Sequence, residues 1–203
     1  MDSQTKIHLS PFEVQLVTDA QWILTKNGVL RKVLLLLGQV QENVTEYTRL
    51  HPGLFPSDVA AISPKISRGE NYRGLPWLVQ DYPRYFDKEN IFAIRIMFWW
   101  ANHFSVTLHL SGRHKERNSA AIVKHYEELC RDGIYWCVNS EQWDHHFEQD
   151  NYLPVQEFSA EEFPLLVNKK SFLKLSSRLP LSEWDHAVEL LSGEFVKTAG
   201  YLS

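Results

Sequence analysis

The 203 residues predict an α+β fold: a mixed, mainly antiparallel sheet of about five strands with helices packed on it, and an N-terminal antiparallel helix pair. Three observations carry that expectation. Ile91–Gly112 (IFAIRIMFWWANHFSVTLHLSG) alternates like two strands joined by a turn. Apolar residues between Val29 and Leu50 recur at spacings of three and four, the helical period. No long polar linker interrupts the chain. Residues 1–203 therefore read as a single globular domain, with the helix pair over 10–50 and the sheet with its covering helices over 75–203.

Start and stop signals order the first elements. Ser10-Pro11-Phe12-Glu13 opens a helix, with Ser as cap, Pro at the first helical position and Glu reaching back. Asn27-Gly28 is expected to end it. The second helix, from Val29 to Leu50, presents Leu30, Val33, Leu34, Leu37, Val40, Val44 and Tyr47 on one side. A short link makes the two helices antiparallel neighbours. His51-Pro52-Gly53 closes the pair, and Ser57–Ile62 forms a short helix. The stretch up to Gly74, rich in Pro and Gly, reads as an irregular connector. Its Lys65, Arg68, Asn71, Tyr72 and Arg73 are taken as solvated, with contact to an anion as the alternative.

Leu75–Tyr82 is the next strand, with Pro76 marking a strand start or an edge. The hairpin at 91–112 follows. Side chains alternate between faces, so Phe92, Ile94, Ile96, Phe98 and Trp100 share a face with Phe104, Val106, Leu108 and Leu110. Arg95, Met97, Trp99, Ser105, Thr107, His109 and Ser111 share the other. Parity requires an odd loop, read as Ala101-Asn102-His103 with Asn in the left-handed region. That register sets Phe98 opposite Val106, Met97 opposite Thr107 and Arg95 opposite His109.

Beyond a charged turn at 113–117, Asn118 or Ser119 caps a helix to Arg131, and Ile134–Val138 is a buried strand. Strand, helix, strand in that order permits a parallel crossover, hence the mixed sheet. Ser140–Gln149 is expected to be helical, and Ser159-x-x-Glu162 opens another helix. Phe172–Arg178 is the last strand, before a C-terminal helix opened by Pro180 and Ser182.

The formal net charge of -4 lacks the basic surplus of a nucleic-acid binder, and no polybasic tract favours a membrane. The longest aliphatic run, Val33–Leu37, is too short to span a bilayer. No signal peptide opens the chain, so a cytoplasmic location is expected. Cys130 and Cys137 match no zinc or redox spacing and are read as free thiols.

One short echo occurs, Trp143-Asp144-His145-x-x-Glu148 and Trp184-Asp185-His186-x-x-Glu189. On helices each would offer two ligands from one face, but the order is the reverse of the dimetal pattern and two further carboxylate helices are missing. No metal or other cofactor is expected. Neither Ser105 nor Ser111 sits in a nucleophile elbow beside His109, and no glycine-rich phosphate loop is present. No catalytic residue is assigned.

The mixed hairpin face is the candidate site. The first expectation is a non-enzymatic protein binding a small polar or anionic ligand, with Arg95 and His109 supplying charge and hydrogen bonds, Thr107 and Ser105 further hydrogen bonds, and Trp99 an apolar wall. The second is an enzyme with His109 as general base, using Asp81 or Tyr82 as a third group. The third is an interaction module forming a homodimer through the aromatic sheet face or the helix pair.

Overall fold

The computed structural model describes residues 7–203, and the chain divides into two compact units, Met1–Leu35 and Leu36–Ser203. In the first, Ser10 caps helix α1 (Pro11–Thr18). Its hydroxyl accepts from the Glu13 amide at 3.3 Å, and the Glu13 carboxylate accepts from the Ser10 amide at 2.7 Å. The chain turns at Asp19, whose carboxylate accepts from the Gln21 amide at 2.9 Å and caps α2 (Ala20–Leu50). The expected break at Asn27-Gly28 is corrected, because α2 runs through it for 31 residues. Glycine inside a helix costs about 1 kcal/mol, less than leaving the peptide groups of two new helix ends unpaired.

The second unit is built on one sheet. Its strands are β1 (Lys65–Tyr72), β2 (Leu75–Phe86), β3 (Ile91–Trp99), β4 (His103–Ser111), β5 (Tyr135–Cys137), β6 (Tyr152–Pro154) and β7 (Phe172–Pro180). They lie in the order β1-β2-β3-β4-β7-β5-β6, and neighbouring strands run antiparallel. The fold is thus α+β with seven strands rather than about five. The expected parallel crossover does not occur, since β7 inserts beside β4 and β5 pairs with β7 in the antiparallel sense. β1 occupies the stretch expected to be an irregular connector. It is a charged edge strand interrupted by a bulge near Gly69, a pattern that disguises strand periodicity.

The hairpin parity holds and the register differs. Phe98 pairs with Phe104, Met97 with Ser105, Arg95 with Thr107 and Ala93 with His109. The turn is Trp100-Ala101-Asn102, with Ala101 rather than Asn102 at positive φ, +59°. Asn102 instead spends its amide on the Trp100 carbonyl at 2.8 Å. A loop one residue earlier moves every cross-strand partner by two, so each side chain keeps its face and changes its neighbour.

The apolar face is covered by helices. Phe92, Ile94, Ile96 and Phe98 meet Leu110, Leu108, Val106 and Phe104 across β3 and β4, all buried. Against this face lie α4 (Gly112–Lys124) and α7 (Ala187–Gly200), while α3 (Ser57–Ala60) rests on β2. Leu36, Leu37, Val40 and Val44 in the C-terminal half of α2 are buried, and Asn43 donates to Ser192 of α7 at 3.2 Å. α5 (Tyr126–Arg131) and α6 (Glu162–Lys169) complete the helices, the latter opened by the expected Ser159/Glu162 box. Cys130 and Cys137 are free. Among the described residues no helix is long and apolar enough to cross a membrane.

α4 starts at Gly112, not at Asn118 or Ser119. Both of those residues bond back one turn, Asn118 to the His114 carbonyl and Ser119 to that of Lys115, each at 2.7 Å. The earlier start depends on Gly112 at φ +52° and on Asn90, whose side-chain oxygen accepts from the Arg113 amide at 2.9 Å. A Cβ on Gly112 would press on the Asn90 side chain and come within 2.7 Å of the Glu89 carbonyl. Gly112→Ala is therefore expected to destabilise the protein by about 2–4 kcal/mol, combining left-handed strain with a backbone clash. Urea unfolding of the variant measures this, and a loss below about 0.5 kcal/mol would show that the junction relaxes freely.

A candidate ligand cleft on the polar sheet face

Register places polar groups in rows across the sheet. Lys65 pairs with Asp81, Asp81 with Arg95, Arg95 with Thr107 and Thr107 with Ser176. The next row, Arg84, Ala93, His109 and Lys174, exists because β2 carries a bulge. Between Asp81 and Arg84, β2 advances three residues while β3 advances two. The extra residue reverses the alternation, so Arg84 shares the face of Asp81.

This face is not solvated. Residues 138–151 cross it, and the helix expected at Ser140–Gln149 does not form. Side chains take up the peptide groups a helix would have paired. Asn139 Oδ1 accepts from the Glu141 amide at 3.0 Å, and Glu141 accepts from the Trp143 amide at 2.9 Å. The Tyr72 hydroxyl accepts from the amides of His145 and His146, at 2.6 and 3.1 Å. Carbonyls are met by ammonium groups: buried Lys174 donates from Nζ to Asp144 O at 2.5 Å, and the partly buried Lys170 to Cys137 O at 2.7 Å and also to Asn139 O.

Arg95 joins the sheet to this segment. Its Nε and one terminal nitrogen donate to the two Asp81 oxygens at 2.7 and 3.0 Å, a fork-to-fork pair. The other terminal nitrogen donates to His145 Nε2 at 3.0 Å. A guanidinium only donates, so Nε2 accepts and His145 is neutral. Burial, then the charges of Lys174 and Arg95, hold its pKa well below the usual value. Trp143 lies over the guanidinium at 5.9 Å.

The Tyr72 hydroxyl also meets His146 Nδ1 at 3.2 Å, and His146 Nε2 stands 3.2 Å from Asp150. His146, Glu148 and Asp150 bring potential metal-ligand atoms within 4.8 Å of one another. Arg73 already supplies positive charge there, 3.1 Å from Glu148 and 3.2 Å from His146. In the second copy of the echo, Asp185 and His186 are exposed on a 3₁₀ turn, Leu181–His186.

Between β1, β2, β3 and Trp143 opens a cleft of about 570 Å³. Trp77, Val79 and Met97 form its apolar floor, with Phe86 and Trp143, ring centroids 6.2 Å apart, as a wall. Gly69 makes room for Trp77, since a Cβ there would fall 2.6 Å from the indole. Lys65 and Arg84 line the cleft beside the Asp81–Arg95 pair. Asn71 and Tyr72 line it too.

Of the five hairpin residues chosen from sequence, Arg95 lines the cleft. Trp99 is buried and donates to the Tyr72 carbonyl at 3.2 Å. Ser105 is buried, and Thr107 bonds Ser176 at 2.7 Å. His109 is sealed beneath the crossing segment, with Nε2 on the Gln142 side-chain oxygen at 3.1 Å and Trp143 edge-on at 5.3 Å. Burial first, then Lys174 and Arg95, push its pKa down to about 3. Burial likewise brings His103 to about 4 and Lys174 to about 8. Sequence reasoning missed Arg84, Trp143 and His145 as site residues. The one available signal was Asn139-Ser140, side chains that favour turns and caps over helix interiors.

Asp81 and His145 are both tied to Arg95, and the Tyr72 hydroxyl is engaged by two amides and His146. No family model, curated protein or solved structure matches the chain.

Two outcomes follow from these pairings. Asp81→Ala leaves Arg95 buried without its carboxylate and is expected to cost about 3–5 kcal/mol, whereas replacing both residues by apolar ones costs much less. Chemical denaturation of the single and double variants decides this, and equal losses would place the destabilisation elsewhere. The second outcome concerns pH. The native protein holds His103, His109 and His145 neutral, while the unfolded chain protonates them near pH 6.5. Their contribution is whole above about pH 6.5 and is lost as pH falls toward the native values, by up to about 1.4 kcal/mol per pH unit for each histidine. Urea midpoints between pH 7 and 4 should fall, and His109→Gln should flatten the decline; an unchanged slope would show that His109 takes up its proton in the native state.

Proposed function

We propose that the protein binds a small, planar, anionic ligand in the cleft, without chemical turnover. The observation that carries this reading is the pairing of aromatic and apolar walls (Trp77, Phe86, Trp143, Met97) with three cations, Lys65, Arg84 and Arg95, against one carboxylate, Asp81. Flat apolar surfaces accept a ring, and convergent cations select its charged group. Because Asp81 neutralises Arg95 in place, the surplus charge for a ligand comes from Lys65 and Arg84. Arg84 uses its Nε on the Ser63 carbonyl at 2.8 Å, which steadies the guanidinium and leaves its outer nitrogens directed to other partners.

A binding role also follows from the absence of a poised base among the residues lining the cleft. His145, the one imidazole there, is neutral and has Nε2 occupied by Arg95. His109 lies outside the lining, and a pKa of about 3 makes it a poor proton acceptor.

Calorimetric titration with 2-naphthoate and with its neutral analogue 2-naphthalenemethanol tests the reading. The carboxylate is expected to bind about tenfold more tightly, a gap near 1.4 kcal/mol. Removing both rim cations, Lys65→Ala with Arg84→Ala, should erase that preference, and Trp143→Ala should weaken both ligands. Equal affinity for the two compounds, or a preference that survives loss of both cations, overturns the proposal.

A further inference from the structure

We infer that residues 7–35 form a self-association surface whose partner is a second copy of this chain. The unit has almost no interior of its own. α1 contains no buried residue, and Val33 is the one buried position among the described residues up to Leu35. Phe12 is 66% exposed, Val17 72%, Trp22 52% and Leu24 60%, and Leu34 and Leu35 are also open to solvent. An eight-residue helix that buries nothing does not persist in water on its own hydrogen bonds. A covering surface supplies what the sequence of α1 cannot.

The exposed side chains form a shaped feature. Leu16 and Val17 of α1 and Trp22 and Ile23 of α2 line a groove of about 560 Å³ around the turn at Asp19. Phe12 and Val14 stand on α1 beside it, and Ile7, Leu9, Leu24, Leu34 and Leu35 extend the exposed apolar set; a standard interface takes about 800 Å² per partner. A run of large apolar side chains around one groove differs from the singly scattered apolar exposure of an ordinary surface and is of the kind a second copy can cover.

Charge placement favours a like partner. Carboxylates cluster at the α1 end, Glu13 and Asp19, whereas Arg31 and Lys32 lie farther along α2, about 18 Å from its start at a rise of 1.5 Å per residue. Two copies related by a twofold axis and laid antiparallel set each acidic end against the other's basic end. An isologous interface requires this kind of self-complementarity. Against an anionic lipid surface, Lys26, Arg31 and Lys32 are nearly offset by Glu13 and Asp19, so the segment lacks the lysine-rich polar face that lipid-binding helices carry.

Sedimentation velocity on the full chain at micromolar concentration is the test. The expected result is a dimer for the wild type. Val17→Glu and Trp22→Glu, both at exposed positions, should each raise the dimer dissociation constant about tenfold or more, with far-ultraviolet circular dichroism unchanged. Leu165→Glu, at an equally exposed leucine on α6, should leave the dimer intact. A wild-type monomer, or a dimer that Val17→Glu and Trp22→Glu leave unweakened, overturns the proposal. So does a wild-type monomer that co-sediments with phosphatidylserine vesicles, which would assign the surface to lipid instead.

Discussion

An irregular segment laid across a sheet must find a partner for its peptide groups away from water, and this requirement organises the second unit. Residues 138–151 carry no helix or strand to satisfy them. The surroundings answer with one tyrosine hydroxyl for two amides, Lys174 of the sheet for the Asp144 carbonyl, and Lys170 at the end of α6 for that of Asn139. An unpaired buried peptide group costs on the order of 1–3 kcal/mol, so Tyr72, Lys170 and Lys174 are fixed by the backbone they serve. Their placement seals His109 and Thr107 and leaves Trp143 and His145 at the margin, where the cleft opens.

The buried charges carry the same logic one step further. A fully enclosed ammonium is costly to desolvate, which is why the pKa of Lys174 falls to about 8. It remains mostly charged at neutral pH because it bonds Asp144 O and sits 5.3 Å from the Tyr152 ring. Arg95 is compensated differently, by a bidentate carboxylate and a neutral imidazole. The histidines nearby are therefore held neutral by their surroundings. Cations and neutral imidazoles on one face make a region that tolerates, and does not itself supply, further negative charge.

What the sequence reveals follows from how local each determinant is. The Ser10/Glu13 and Ser159/Glu162 boxes are read correctly because cap and partner lie three residues apart. Hairpin parity is legible because alternation is a property of consecutive residues. The register is not, since it depends on which turn residue adopts positive φ, and the chain places Ala101 there although local preference favours Asn102. β1 is hidden because Gly69 and its charges look like a loop until Trp77 is seen filling the space above the glycine. The segment at 140–149 has helical periodicity, yet its amides are claimed by a tyrosine more than seventy residues away. Arg95 could be chosen from its own strand. Arg84, Trp143 and His145 could not, because each reaches the cleft through an irregularity.

The bulge in β2 gives one of those irregularities a wider meaning. Lys65, Asp81 and Arg95 reach the cleft by ordinary alternation, whereas Arg84, three residues beyond Asp81, reaches it only because the bulge absorbs the odd residue. The electrostatic sign of the cleft is thus encoded partly as a phase. A regular β2 of the same length, with no bulge to absorb the odd residue after Asp81, would turn Arg84 toward the helix-covered face, changing the cleft's polarity and loading the core with a guanidinium in one event. The constraint therefore lies in the bulge itself: a substitution at 82–83 that straightened the strand would alter the charge on both faces of the sheet at once.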